Sequence, residues 1–215
     1  MIETLLPAGA VAVDTFADPP GATLFPAEEA LVARAVAKRR AEFTTARWCA
    51  RQALARLGRP PAPILRGARG EPLWPEGVVG SMTHCAGYRG AVLAPGGSFT
   101  TIGIDAEPNE PLPDGVFDTV TVPGERPRLG DLLASRPSVR WDRLLFSAKE
   151  SVYKAWFPLT GRWLGFEEAD LVIDPEAGTF AARILATGGP SGFAGRWLVG
   201  EGLILTAIAV PSGSL

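Results

Sequence analysis

Proline and glycine interrupt this sequence so often that apolar runs stay short. The longest candidate, Gly202 to Val210, is about half of the roughly 20 residues that a membrane-crossing helix needs. A chain punctuated in this way builds short strands and helices of moderate length. The breakers are scattered rather than gathered into tracts, so they mark loops within a folded chain and not a low-complexity tail. With 215 residues, 47% of them hydrophobic, there is room for one sizeable core or two small ones side by side.

The formal charge is only -2, so no global field draws the chain to nucleic acid or to an anionic membrane, and any anion site must be local. Two cysteines far apart, Cys49 and Cys85, make no disulfide framework and are expected to be reduced. Met1 to Val13 carries Glu3 and no basic run, unlike a secretory signal, and the expected compartment is the cytoplasm.

Pro26 to Glu29 reads as a helix start, and Ala30 to Leu57 as one long helix or two broken ones, closed by Gly58 and the prolines beyond. Arg66 to Gly77 reads as loop. Val78 to Met82 and Gly90 to Ala94 read as strands joined through Thr83 to Arg89, and Phe99 to Glu107 as a third strand. Asp118 to Pro137 fits no period. Val139 to Phe157 returns to helical spacing, and Leu171 to Ile173, Thr179 to Leu185, Arg196 to Val199 and Leu203 to Val210 read as strands.

Four constellations could carry chemistry. Along Thr101 to Glu107, strand alternation sets Gly103, Asp105 and Glu107 on one side, where paired carboxylates suit Mg²⁺; the alternative is an edge strand with two solvated acids. In Phe146 to Trp156, Glu150 and Lys154 share a helix face, which is equally the pattern of a surface salt bridge. Yet the chain has only three lysines, Lys38, Lys149 and Lys154, and two fall in this segment. Gly80 to Cys85 holds the only histidine, His84, beside Thr83; the pair could bind phosphate, His84 could be a structural hydrogen bonder, and zinc with Cys85 and Cys49 matches no usual spacing. Lys38, Arg39, Arg40, Arg47 and Arg51, with Arg66 and Arg69 beyond, form either a solvated face or a phosphate pocket.

Ile102 to Glu107, followed about forty residues later by Phe146 to Lys154, with Gly80 to Cys85 upstream, resembles the motif set of the 4′-phosphopantetheinyl transferase superfamily. Phe146 stands where that family usually has Trp. The resemblance, over roughly residues 28 to 170, is to the longer monomeric branch that activates siderophore, polyketide and nonribosomal peptide synthases. It implies an α+β fold of two similar subdomains related by a pseudo-twofold axis, about 1–106 and 107–215, forming one catalytic unit with coenzyme A in the cleft between them. It implies Asp105, Glu107 and Glu150 as ligands of Mg²⁺, with Mn²⁺ as the other choice, and Glu150, Lys154 and Asp105 as the catalytic set. Arg39, Arg47, Thr83 and His84 would hold the nucleotide end of coenzyme A, and Arg69 and Gly70 would lie in an adenine-side loop, where Glu71 replaces a basic residue. The implied partners are acyl or peptidyl carrier proteins and coenzyme A, with no nucleic acid, no membrane and a monomeric enzyme. A coenzyme A or carrier-protein binding module, and a magnesium-dependent phosphohydrolase, are the readings from other classes.

Overall fold

A computed structural model describes residues 1–214. The chain divides into two compact units, one of residues 1–102 with 210–214, the other of residues 103–209.

The first unit opens with a 3-10 turn, Ile2–Leu5, and strand β1, Val11–Thr15. Helix α1, Pro26–Glu29, passes through a 3-10 turn into a break, and helix α2 follows at Ala37–Arg56, so the run after Pro26 is two pieces. Gly58, at φ 69, closes α2 in the left-handed region that glycine adopts freely. The stretch read as loop contains a small hairpin, β2 Leu65–Arg66 with β3 Pro72–Leu73. β4, Val78–Cys85, and β5, Tyr88–Pro95, are longer than their apolar cores and meet through Ala86 and Gly87 alone; Gly87, at φ 75, supplies the turn. What the sequence left as a connection is therefore paired strand, with Thr83 opposite Gly90 and His84 opposite Arg89. The sheet order is β1-β5-β4. Against it α2 packs Cys49, Ala50, Ala53 and Leu54, spaced for one helix face, onto Val13, Ala91, Leu93 and Ile64. Leu54, Leu93 and Ile64 are fully buried, each worth roughly 2 kcal/mol in removed apolar surface.

β6, Phe99–Pro108, leads into the second unit. The segment without a readable period holds two helices, α3 Val116–Val120 and α4 Glu125–Ser135. Pro127 is tolerated because it sits in the first turn of α4, where its missing N–H is not needed. α5 runs Trp141–Thr160 and ends on Gly161. Strands β7 Ala169–Asp174, β8 Thr179–Ile184, β9 Gly192–Gly200 and β10 Leu203–Pro211 complete a five-stranded sheet of order β6-β10-β9-β8-β7. The buried face of α5 recurs at Trp141, Leu144, Leu145, Ala148, Val152 and Ala155, and Trp141 meets Trp197 of β9 edge to face at 5.4 Å. Among the described residues no helix is long and apolar enough to cross a membrane.

Candidate active site

In the second unit, β6 turns Gly103, Asp105 and Glu107 toward helix α5. A Cβ on Gly103 would lie 2.0 Å from the Ser151 carbonyl oxygen and 2.8 Å from Ala155 N. The space left by the missing side chain is thus filled by helix backbone. So close an approach lets Lys154 reach back to the strand, its Nζ donating to Asp105 Oδ1 at 2.7 Å and to Ile104 O at 3.0 Å. Lys154 therefore pairs with Asp105 rather than with Glu150, its neighbour on the helix. Near the start of α5, Arg143 donates to Glu107 Oε2 at 2.9 Å and to the carbonyls of Glu110 and Pro111, fastening the chain that leaves β6.

Although β6 is an edge strand, its acids are not freely solvated; Asp105 is 5% exposed and Glu107 is half-buried. Burial, reinforced by the Asp105 charge, pushes the Glu107 carboxyl up to about 7 against the pull of Arg143 and Lys154. Burial also raises Glu150, with Lys154 drawing it down and Asp105 pushing it up. Three carboxylates consequently share one electrostatic neighbourhood with two cations, and it is short of positive charge.

In the first unit, Arg39 of α2 donates through Nη1 to His84 Nε2 on β4, while Arg40 turns away to an ion pair with Glu29. Adjacent arginines thus have different fates. Thr83 and His84, being consecutive on a strand, face opposite sides of the sheet, so they cannot grip one phosphate oxygen together from the same face. Arg47 is buried: its Nε donates to Ile64 O at 2.9 Å, its guanidinium lies 3.3 Å over the Phe43 ring, and Glu28 is 3.8 Å away. Burial disfavours its charged form; Glu28 opposes this, while Arg66, Arg51 and Arg39 add to it. Arg66 is depressed likewise, by burial and by Arg39. Converging arginines that repel one another are what an anion would relieve. Arg69 and Gly70 lie in the β2–β3 turn, where Gly70 has φ 89 and the Arg69 amide donates to Glu71 Oε2 at 2.9 Å.

Comparison with known proteins now bears on the same residues. Residues 27–94 match the family described as 4′-phosphopantetheinyl transferase N-terminal domain, and residues 101–205 match the 4′-phosphopantetheinyl transferase superfamily. The chain is 58% identical over 225 residues to 4′-phosphopantetheinyl transferase Svp of Streptomyces mobaraensis, covering 100% of this chain and 92% of that one. It is 52% identical to PptT of Mycobacterium tuberculosis, over 92% of this chain and 90% of that one, and 50% identical to Npt of Nocardia iowensis, over 97% and 99%. The chain belongs to the 4′-phosphopantetheinyl transferase superfamily. It is an enzyme of the transferase class, mixed in helix and sheet as that family is.

Several groups around this transferase's site carry no sequence signal of their own. Glu28, read only as an acid at a helix start, is fully buried; it accepts from Arg51, from Phe25 N and from Ile64 N, and so fixes Arg51 of α2 beside Arg47. Arg89 stands across from His84 and is 3.4 Å from Asp18. Beside Glu150 opens a pocket of about 100 Å³ walled by Tyr153, Trp163, Leu164 and Phe166, with the Tyr153 and Trp163 rings 4.8 Å apart. Lys149, in the same motif, faces none of the acids of β6; its ammonium is buried against Glu125.

A divalent cation can be tested against these donors. Among the described residues no three His, Cys, Asp or Glu side chains form a ready-made cluster. Asp105 and Glu107 each have a cation of their own, Lys154 and Arg143. The chemistry still fits Mg²⁺, which takes one or two carboxylates and completes its shell with water and phosphate, and raised carboxyls at Glu107 and Glu150 mark a place that gains from added positive charge.

Proposed function

We propose that this transferase moves the phosphopantetheine arm of coenzyme A onto a serine of an acyl or peptidyl carrier protein and releases 3′,5′-ADP. Asp105, Glu107 and Glu150 would hold Mg²⁺, or Mn²⁺ in its place. The observation that carries the reading is the junction of α5 with β6, where Lys154 meets Asp105 at 2.7 Å beside two carboxyls whose proton affinity is raised.

In the reaction the serine oxygen forms a bond to the phosphorus bearing the pantetheine arm, as the bond from that phosphorus to the nucleotide's phosphate oxygen breaks. Glu150, whose proton affinity is raised by burial, is suited to take the serine proton. Lys154 commits two of its three N–H groups to Asp105 and Ile104, and the third is a donor for the departing phosphate. The cation, when bound, supplies neutralisation of charge on the pyrophosphate. Arg39, Arg47, Thr83 and His84, with the Arg69–Gly70 turn, would bind the nucleotide, adding affinity at atoms remote from the bond that breaks. The small aromatic pocket beginning at Glu150 suits the uncharged pantetheine chain. We read the enzyme as a cytoplasmic monomer.

The test is the intact mass of an apo carrier protein incubated with the enzyme, coenzyme A and Mg²⁺. A gain of about 340 Da on one serine, lost when EDTA is added, is the expected result. Release of free phosphopantetheine without any carrier would point instead to a phosphohydrolase.

A further inference from the structure

Lys149 and Lys154 stand five residues apart in one motif, yet their ammonium groups live differently. Lys149 is 2% exposed, and its Nζ donates to Val120 O at 2.8 Å, to Glu125 Oε2 at 2.9 Å and to Phe166 O at 2.9 Å. An ammonium has three donors, and all three are used. Glu125, 1% exposed, is equally committed: Oε2 also accepts from Val122 N, and Oε1 accepts from Leu171 N, both at 2.8 Å.

The pair therefore ties the end of α3, the start of α4, the turn at Phe166 and strand β7 to the middle of α5. Phe166 and Ala169, and the stem of Lys149 itself, wall the pocket beside Glu150. We propose that the buried Lys149–Glu125 pair is a positioning device of the transfer reaction: it sets the wall of the pocket that receives the pantetheine arm, and Lys149 neither moves a proton nor binds phosphate. The inference rests on that assignment of the pocket. It divides the motif into a lysine that acts on the substrate, Lys154, and one that shapes the place where the substrate lies. Removing one partner strands a buried charge, whereas removing both does not.

The experiment measures carrier labelling by the full chain at varied coenzyme A for Lys149→Met, Glu125→Gln, the double variant, and Lys154→Met. Expected for the Lys149 and Glu125 single variants is a KM for coenzyme A raised about tenfold, with kcat lowered less than about threefold and an unshifted pH–rate profile. The double variant should recover much of the loss, which no substitution at Glu125 could do for a missing catalytic group. Lys154→Met should instead lose roughly 100-fold in kcat. A kcat loss of that size in Lys149→Met, or a lost limb of its pH profile, with no recovery in the double variant, overturns the proposal. Should Lys149→Met fail to fold, the double variant alone decides: labelling with near-native kcat upholds it, and a soluble protein with kcat reduced as in Lys154→Met overturns it. The pocket assignment is checked separately by Phe166→Trp, which fills the pocket; an unchanged KM for coenzyme A there sinks the assignment, whatever the lysine variants do.

Discussion

Gly103 of β6 lies directly beneath the Ser151 carbonyl of α5, so near that a Cβ at position 103 would stand 2.0 Å from that oxygen. Neither atom can yield cheaply, since the oxygen belongs to the helix backbone and a Cβ is fixed rigidly to the strand backbone. Gly103→Ala should therefore lift the helix from the strand and cost about 3 kcal/mol, or roughly 6–12 °C in Tm for a chain of this size. Because Glu150 and Lys154 ride on α5, labelling should fall more steeply than stability when assayed well below the new Tm. An alanine variant with native Tm and native labelling would contradict the contact.

Asp105 is the acceptor for Lys154 and stands within the shared field of Glu107 and Glu150. Asp105→Asn keeps the shape and removes the charge. Carrier labelling at saturating Mg²⁺ should drop about 1,000-fold or more while the far-ultraviolet circular dichroism stays native. Undiminished labelling would remove Asp105 from the metal and catalytic sets.

Glu107 moves from an ordinary carboxyl at 4.5 to about 7 on folding. Between those two values the folded chain holds more of the proton than the unfolded chain does, so the contribution of Glu107 to stability is greatest in acid and is lost as pH rises through about 7. In chelator, the unfolding free energy of the native protein minus that of Glu107→Gln should fall by on the order of 2 kcal/mol from about pH 4.5 to 7.5, after allowance for residual solvent, and then level off. Added Mg²⁺ should restore stability above pH 7 in the native protein and much less in the variant. Urea titrations across pH read both effects, and a difference that rose with pH would refute the sign.

Arg39 reaches His84, while the next residue, Arg40, pairs with exposed Glu29. Arg39→Ala should weaken inhibition by 3′,5′-ADP about 10- to 100-fold, the loss expected for a charge-assisted contact to phosphate. Arg40→Ala should change it less than about twofold, as exposed ion pairs usually do. Equal effects of the two substitutions would mean that the basic run acts as a diffuse field and not as a built site.

Much of this fold was legible because it is local. Alternation along Phe99 to Glu107 placed Asp105 and Glu107 on one side of a strand, and the apolar spacing of Leu144, Leu145, Ala148, Val152 and Ala155 announced α5. Asp118 to Pro137 was unreadable because α3 is barely more than a turn and α4 carries Pro127 and Gly130, so what keeps them helical comes from outside the segment. Glu125, bonded to Lys149, Val122 and Leu171, is part of that outside support. Thr83 to Arg89 looked like a loop because it lacks an apolar alternation, although Thr83, His84 and Cys85 pair in register with Gly90, Arg89 and Tyr88 around the turn at Ala86 and Gly87.

By itself, then, the sequence determined most of the element types, the family and which motif residues can bear charge, because helical and strand periods and motif spacings are properties of neighbouring residues. Only the tertiary structure decided which of two adjacent arginines meets His84, which of two motif lysines is buried on Glu125 and which reaches Asp105, and that the space beside Gly103 is filled by a helix. Those outcomes depend on contacts between residues some 24 to 49 positions apart, as in Lys149 with Glu125, Arg39 with His84 and Lys154 with Asp105. Burial produced by those contacts sets how strongly each charge is held, and no local pattern encodes it.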